Sequence, residues 1–234
     1  ALIGMVATGV RGGPLDPPGA PASTLPQVEP RSPIPPVGWN GTFPIVISQP
    51  GSYFFTRSLT GTLNANGIEI TTDNVTVDLN GFTLTGAGNQ SGIQVIGQRS
   101  GLHIRNGVVR TWDSGVEAWW AGGEAVYSSV DHVTALGNVF GIRMGFDSDI
   151  TDCNASGNVY GIYTHYSVVR GCHATDNTTY GIYAQDVSLI EGNKVWNNGF
   201  GIVVTFSGAQ PGNNTVRSNT STNNTTADIN FNGT

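Results

Sequence analysis

The chain has 234 residues, a net charge of −6 and only 11% charged residues, with Lys194 as its single lysine. That balance excludes a nucleic-acid partner, which needs a basic face, and an anionic membrane surface; no apolar run approaches the ~18 residues of a membrane span. Gly (33) and Asn (21) are far above ordinary usage, so uncharged polar groups supply the solubility that charge usually supplies, a habit of exported surface proteins.

Ala1 to Val10 is small and apolar. Two readings stay open: the remnant of a signal h-region on a processed chain that starts without Met, or a mature β-competent strand. In the second reading Leu2, Ile3, Met5, Val6 and Val10 form an assembly arm. Nine prolines from Pro14 to Pro36 follow, a density that disallows a helix or ladder and predicts an extended strap. Residues 1–37 therefore read as arm and linker, and the folded body as 38–234. Over 38–66, FPIVISQPGSYFF sets a Gln-Pro-Gly-Ser turn between two β-rich runs and is expected to form the N-terminal cap.

Residues 67–226 read as coils. Gly67-Ile68, Gly92-Ile93 and Gly115-Val116 open the first three, the last a 26-residue coil with the insertion AWWAGGEAVYSS. Gly-Ile then returns at Gly141, Gly161, Gly181 and Gly201, every 20 residues, each time after an aromatic: Phe140, Tyr160, Tyr180, Phe200. Apolar residues alternate within each repeat (Phe140, Ile142, Met144), which is strand periodicity. Short strands at a fixed period describe a solenoid, here an all-β parallel β-helix of seven to eight coils ending in a terminal strand over 227–234. Aligning the coils predicts three inward columns: Ile68, Ile93, Val116, Ile142, Ile162, Ile182, Ile202 and Ile229; Ile150, Val169, Ile190 and Val216; Ala155, Ala174 and Val195. Asn193 and Asn219 are expected to stack their amides at a corner. Cys153 and Cys172 fall one repeat apart, about 4.8 Å by strand spacing, so a disulfide and a stack of two buried thiols both stay open.

The runs VTVDLNGFTLTG, SGLHIRNGVVR and the YGIY-type coils resemble the right-handed parallel β-helix proteins of the pectate-lyase-like superfamily, over roughly residues 42 to 230. The resemblance implies exported proteins that often act on acidic polysaccharides as lyases, hydrolases or epimerases, alongside scaffolds without chemistry. A lyase needs a base and a carboxylate clamp. The alignment offers Lys194 or His173 as base and Arg170 and Arg217 as clamps, against the alternative that Arg170, Glu191 and Arg217 are a solvated ladder of alternating charge. Gly145 to Asp149, GFDSD, is similar to the YGFDPHD motif of mannuronan epimerases, but Met144 replaces the Tyr and Ser148-Asp149 the Pro-His, which removes the catalytic His. Asp147, Asp149 and Asp152 are candidate Ca²⁺ ligands, against the simpler role of capping turns; no other cofactor is expected.

Trp112, Trp119, Trp120, Tyr163 and Tyr183 are candidates to stack on sugars or to bury against a second subunit. Asn-x-Ser/Thr occurs at Asn40, Asn74, Asn89, Asn154, Asn177, Asn213, Asn219, Asn223, Asn224 and Asn232, candidate glycan sites of an extracellular or cell-surface protein. No amphipathic helix covers the C-terminal coil, and an apolar strand on a strap of about 24 residues at about 3 Å each can reach another molecule. The leading expectation is therefore a non-enzymatic subunit that assembles head-to-tail, its own copy as partner, by donating the N-terminal strand. A polysaccharide lyase or epimerase and a carbohydrate-binding module are the alternatives.

Overall fold

The computed structural model describes residues 31–119, 125–186, 188–206 and 214–233. Every regular element among them is a β-strand. They form a fifteen-stranded sheet, a nine-stranded sheet and a two-stranded ribbon, and the nine strands bound about eight turns of a parallel β-helix.

The glycine that opens each coil has a steric cause. From Gly67 to Gly181, a Cβ there would lie 2.5 to 2.7 Å from the carbonyl oxygen of the matching glycine one coil on. Only hydrogen fits, so the repeat returns glycine. The next residue points inward: Ile45, Ile68, Ile93, Val116, Ile142, Ile162, Ile182, Ile202 and Ile229 pair in unbroken register, one coil longer than the expected column. All are buried except Ile229, at 42% exposure on the last strand. The second column extends back through Val130, Ile104 and Val77. The third tapers from Leu84 through Val109 to Ala135, Ala155 and Ala174 before widening at Val195. Each inward residue exchanges water for a neighbouring coil, at about 25 cal/mol per Å² of apolar area.

Buried polar rungs run beside these columns. Asn138, Asn158, Asn177, Asn198 and Asn224 form a continuous ladder, each Nδ2 donating to the next Oδ1 at 2.9 to 3.0 Å. Each of the first four also donates its backbone N–H to that same Oδ1, at 2.9 to 3.0 Å. The second Nδ2 hydrogen reaches a backbone carbonyl, of Ala135 from Asn158 and of Ala155 from Asn177. Asn193 and Asn219 make the expected shorter ladder at 2.9 Å. Its upper rung is Cys172, whose N–H donates to Asn193 Oδ1 at 2.8 Å. Cys153 and Cys172 are free, buried thiols, each pointing at backbone carbonyls, so of the two sequence readings the stacked pair is the one present.

Three expectations change. The solenoid unit starts at Arg31 rather than residue 38. Ser32–Ile34, inside the proline tract, pairs in parallel with Tyr53–Phe55. Among the described residues that strand pairs on one side only, where a proline's missing N–H need break no ladder bond. Arg31 secures it by donating to Asp78 Oδ2 at 2.8 Å. FPIVISQPGSYFF is not a separate cap but the first coil, since Ile45–Ile47 joins the nine-stranded sheet and Gly51–Phe55 the other. Trp112 is no surface ring. It is 2% exposed, donates Nε1–H to Leu84 O at 3.1 Å, and occupies the space that side chains at Gly61, Gly67, Gly86 and Gly92 would need. Residues 1–30, with the arm positions Leu2, Ile3, Met5, Val6 and Val10, lie outside the described residues.

Candidate functional site

The outer face of the nine-stranded sheet carries two aligned columns. In one, Phe140, Tyr160, Tyr180 and Phe200 succeed one another in register, because each precedes the close-packed glycine. Their rings lie 4.6, 5.5 and 5.5 Å apart, the first pair parallel. In the other, Gln94, Glu117, Arg143, Tyr163, Tyr183 and Val203 share a register. Tyr163 and Tyr183 stack at 4.7 Å and 12°, and Thr205 donates its hydroxyl to Tyr183 Oη at 2.9 Å. All the rings of both columns are half-buried.

The 26-residue coil adds a wall. Trp119, just after the strand Ser114–Glu117, sets its ring edge-on to Tyr163 at 5.5 Å and beside His165 at 5.2 Å. Arg143 lies under it, its guanidinium 4.7 Å from the Phe140 ring, 5.4 Å from Tyr163 and 5.6 Å from Trp119. Glu117, 5% exposed, accepts from Ser114 Oγ at 2.8 Å and from the Trp119 N–H at 3.1 Å, and faces Arg143 Nη1 at 3.5 Å. Burial pushes its carboxyl above the ordinary glutamate value, against the pull of Arg143 and of the Ser114 and Trp119 hydrogen bonds. Burial likewise raises the Tyr163 hydroxyl, helped by Tyr183. His165 closes the far edge. Its Nε2 meets Asp186 Oδ2 at 2.5 Å, and its ring packs against Phe146 at 4.4 Å and Tyr166 at 4.6 Å. Among the described residues the face thus brings together stacked rings, the Arg143 cation, a buried carboxyl and hydrogen-bonding groups at its rim.

Of the five aromatic candidates, Trp119, Tyr163 and Tyr183 meet here, Trp112 is core, and Trp120 lies outside the described residues. The lyase candidates occupy the other sheet. His173 and Lys194 are in register, both exposed, with Asn154 on the coil before. Arg170 and Arg217 both bind Glu191, at 3.1 and 2.7 Å. Hydrogen bonding to Arg217 first, and then Arg170, holds the Glu191 carboxyl below its ordinary value. Both clamps are thus occupied in the alternating ladder. The same column continues upward through uncharged Thr151 to Asp131, Arg105 and Asp78.

Asp147, Asp149 and Asp152 are exposed, Asp147 and Asp152 at left-handed turn positions with φ near 50°, and among the described residues no three His, Cys, Asp or Glu form a metal-binding group. Of the sequons, Asn40, Asn74, Asn89, Asn154 and Asn223 are exposed. Asn177 is 1% exposed with both Nδ2 hydrogens bound inside the ladder, so it cannot carry a glycan in the folded chain. Asn219 and Asn224 are half-buried, Asn219 Nδ2 donating to Ile190 O at 2.8 Å and Asn224 Nδ2 to Ser221 Oγ at 3.1 Å and Asp228 Oδ1 at 2.8 Å. Asn213 and the Asn232 side chain lie outside the described residues. Glu117 and Arg143 escape a reading of the sequence alone; their one signal is register, since both align with Tyr163.

Residues 66–234 match the family described as periplasmic copper-binding protein, NosD. Among solved structures the chain is similar to pectate lyase Pel9A, at 15% identity and a TM-score of 0.54, over 79% of this chain and 64% of that one. The likeness shows the fold alone, and the chain spans 64% of that enzyme's length. No curated protein matches it.

Copper asks for imidazole, thiolate or thioether donors converging on one point. The sequence has four His, two Cys and two Met, and all but Met5 are described. His103 and His132 both turn a ring nitrogen to Asp131, His165 turns one to Asp186, and His173 lies against Trp196. The thiols and Met144 face the core. The described residues do not fit a copper centre.

Proposed function

The chain belongs to the NosD family, and within it we propose a carbohydrate-binding β-solenoid that seats an oligosaccharide on the outer face of the nine-stranded sheet. One observation carries this reading: the stacked Tyr163–Tyr183 pair walled by Trp119, an aromatic ledge with Arg143 and His165 beside it. Sugar rings present apolar C–H faces and a polar rim, which an aromatic ledge and the charged and hydroxyl groups beside it complement. The family's periplasmic description and the charge-poor surface support a place outside the cytoplasm. We read the activity as binding; Arg170 and Arg217, the clamps considered for a lyase, lie on the other sheet and pair with Glu191. The test is calorimetric titration with neutral and acidic oligosaccharides. Tyr163→Ala and Tyr183→Ala are expected to weaken binding at least about tenfold, on the scale of a lost aromatic contact. Unchanged affinity in both variants would sink the reading.

A second reading is head-to-tail assembly, in which the apolar segment of residues 1–10 adds to the end of a neighbouring solenoid. Its motive is the small, apolar, β-competent composition of residues 1–10. Electron microscopy of the chain with and without residues 1–30 decides it: fibres that persist after deletion rule out strand donation.

A further inference from the structure

The ring face contains one loosely joined pair of opposite charges, whose part in ligand binding rests on the sugar-binding reading of that face. Glu117 stands in register between Gln94 and Arg143. Around its carboxylate are Ser114 on its own strand, uncharged Gln94 on the strand before, Arg143 on the strand after and the Trp119 N–H from the insertion. Beyond Gln94 lies Glu69, whose Oε1 accepts from Asn66 at 2.9 Å; beyond Arg143 lies Tyr163. Among the described residues, Arg143 is thus the only cation in this register column from Glu69 to Val203. It meets Glu117 through one contact at 3.5 Å, without the bidentate geometry of a committed pair, and keeps 27% of its side chain exposed.

An anionic ligand on this face has Arg143 as its counter-charge, and so competes with Glu117. Two carboxylates around one guanidinium in a partly dry site repel each other, and the buried one gains most by becoming neutral. The surroundings already suit the neutral form. Ser114 Oγ, a donor to the carboxylate, can turn and accept from a Glu117 O–H, while the other oxygen keeps the Trp119 N–H and with it the wall of the site. We propose that a carboxylate- or sulfate-bearing saccharide binds at Arg143 with uptake of one proton by Glu117, which makes the face a proton-coupled anion site. The proton comes from solvent and returns to it on release. Burial raises the Glu117 carboxyl, which moves the coupling upward from the ordinary glutamate value.

The experiment uses the full chain and two probes, an oligogalacturonate and its neutral methyl ester, titrated by calorimetry from pH 5 to 8. The acid form is expected to bind about tenfold more tightly for each pH unit lowered on the alkaline side of Glu117's titration, as uptake of one proton requires. Two buffers of different ionisation enthalpy should count about one proton per ligand, and the ester should bind without pH dependence. Glu117→Gln is expected to hold the acid-pH affinity for the uronate at every pH. Uronate binding without proton uptake, or pH dependence that survives in E117Q, overturns the coupling while leaving the platform. Failure of both probes to bind wild type at any pH overturns the platform and the coupling with it. Should E117Q not fold, the two-buffer proton count on wild type decides.

Discussion

Replacing Asn158 by Ala tests whether the solenoid is held by its amide ladder as well as by apolar stacking. Asn158 accepts from the Asn138 N–H and Nδ2 at 2.9 and 3.0 Å, and donates to Asn177 Oδ1 and Ala135 O at 3.0 and 3.1 Å. Ala removes all four bonds. Asn177 Oδ1 keeps the backbone N–H of residue 158 and the Ala135 carbonyl keeps its place in the strand ladder, but the Asn138 N–H and one Asn138 Nδ2 hydrogen are left unpaired beside a rung that is 1% exposed. Each buried orphan costs roughly 1–3 kcal/mol. With shared relaxation the loss is about 3 kcal/mol, well above the few tenths expected of a surface change such as Asn154→Ala. Chemical denaturation followed by circular dichroism measures it, and because neighbouring coils can separate, a broadened transition is expected beside the lowered midpoint. An N158A protein within about 0.5 kcal/mol of wild type would refute the idea that the ladder stabilises the stack.

The same contacts set other outcomes. Gly161→Ala places a Cβ 2.5 Å from the Gly181 carbonyl oxygen, so it should destabilise by about 1–3 kcal/mol in the same assay; a neutral effect would show that the coils can separate freely. Stability should depend on pH with two signs. Glu117 has a raised folded value, so its contribution is complete below the unfolded value and is lost as pH rises through the folded one; thermal melting should improve from neutral toward mildly acidic pH, and less so in Glu117→Gln. Asp78 behaves oppositely. Burial opposes its ionisation, but the Asn80 N–H, Asn106 and Arg31 outweigh that and hold it low, so its contribution is lost as pH falls through the folded value, below the usual 3.8. Asp78→Asn should therefore lower neutral-pH stability and flatten the acid limb. Copper should bind only adventitiously. After competition with a chelator, elemental analysis should find far less than one equivalent per chain, whereas a retained stoichiometric ion lost in His-to-Ala variants would contradict the reading of the donor set.

The sequence shows the fold because backbone spacing imposes it. Glycine returns wherever the next coil's carbonyl leaves room only for hydrogen, and that spacing fixes the columns from Ile68 to Ile229. It shows the site less well, because burial there is set by residues distant in the chain. Trp112 lies in the core because glycines at 61, 67, 86 and 92, all before it, clear the space, and nothing beside it says so. Asn138, Asn158, Asn177 and Asn198 each precede an aromatic-Gly-Ile step by two or three residues, a period legible in the sequence although Asn177 also reads as a sequon. Glu117 has no local signal, since its surroundings include Gln94 and Arg143 from the neighbouring coils, 23 and 26 residues away. The strand Ser32–Ile34 is hidden because proline density argues against ladders in general but not at an edge.

The central claim is that the ring face receives sugar, and chemical-shift mapping tests it most directly. On titration with an oligosaccharide, the indole N–H of Trp119 and the ring signals of Tyr163 and Tyr183 should move together. Trp196 and Tyr127, exposed at 39% and 73% elsewhere on the solenoid, should stay still. Shifts centred on Trp196 beside His173 and Lys194, or no shifts under saturating ligand, would contradict the account.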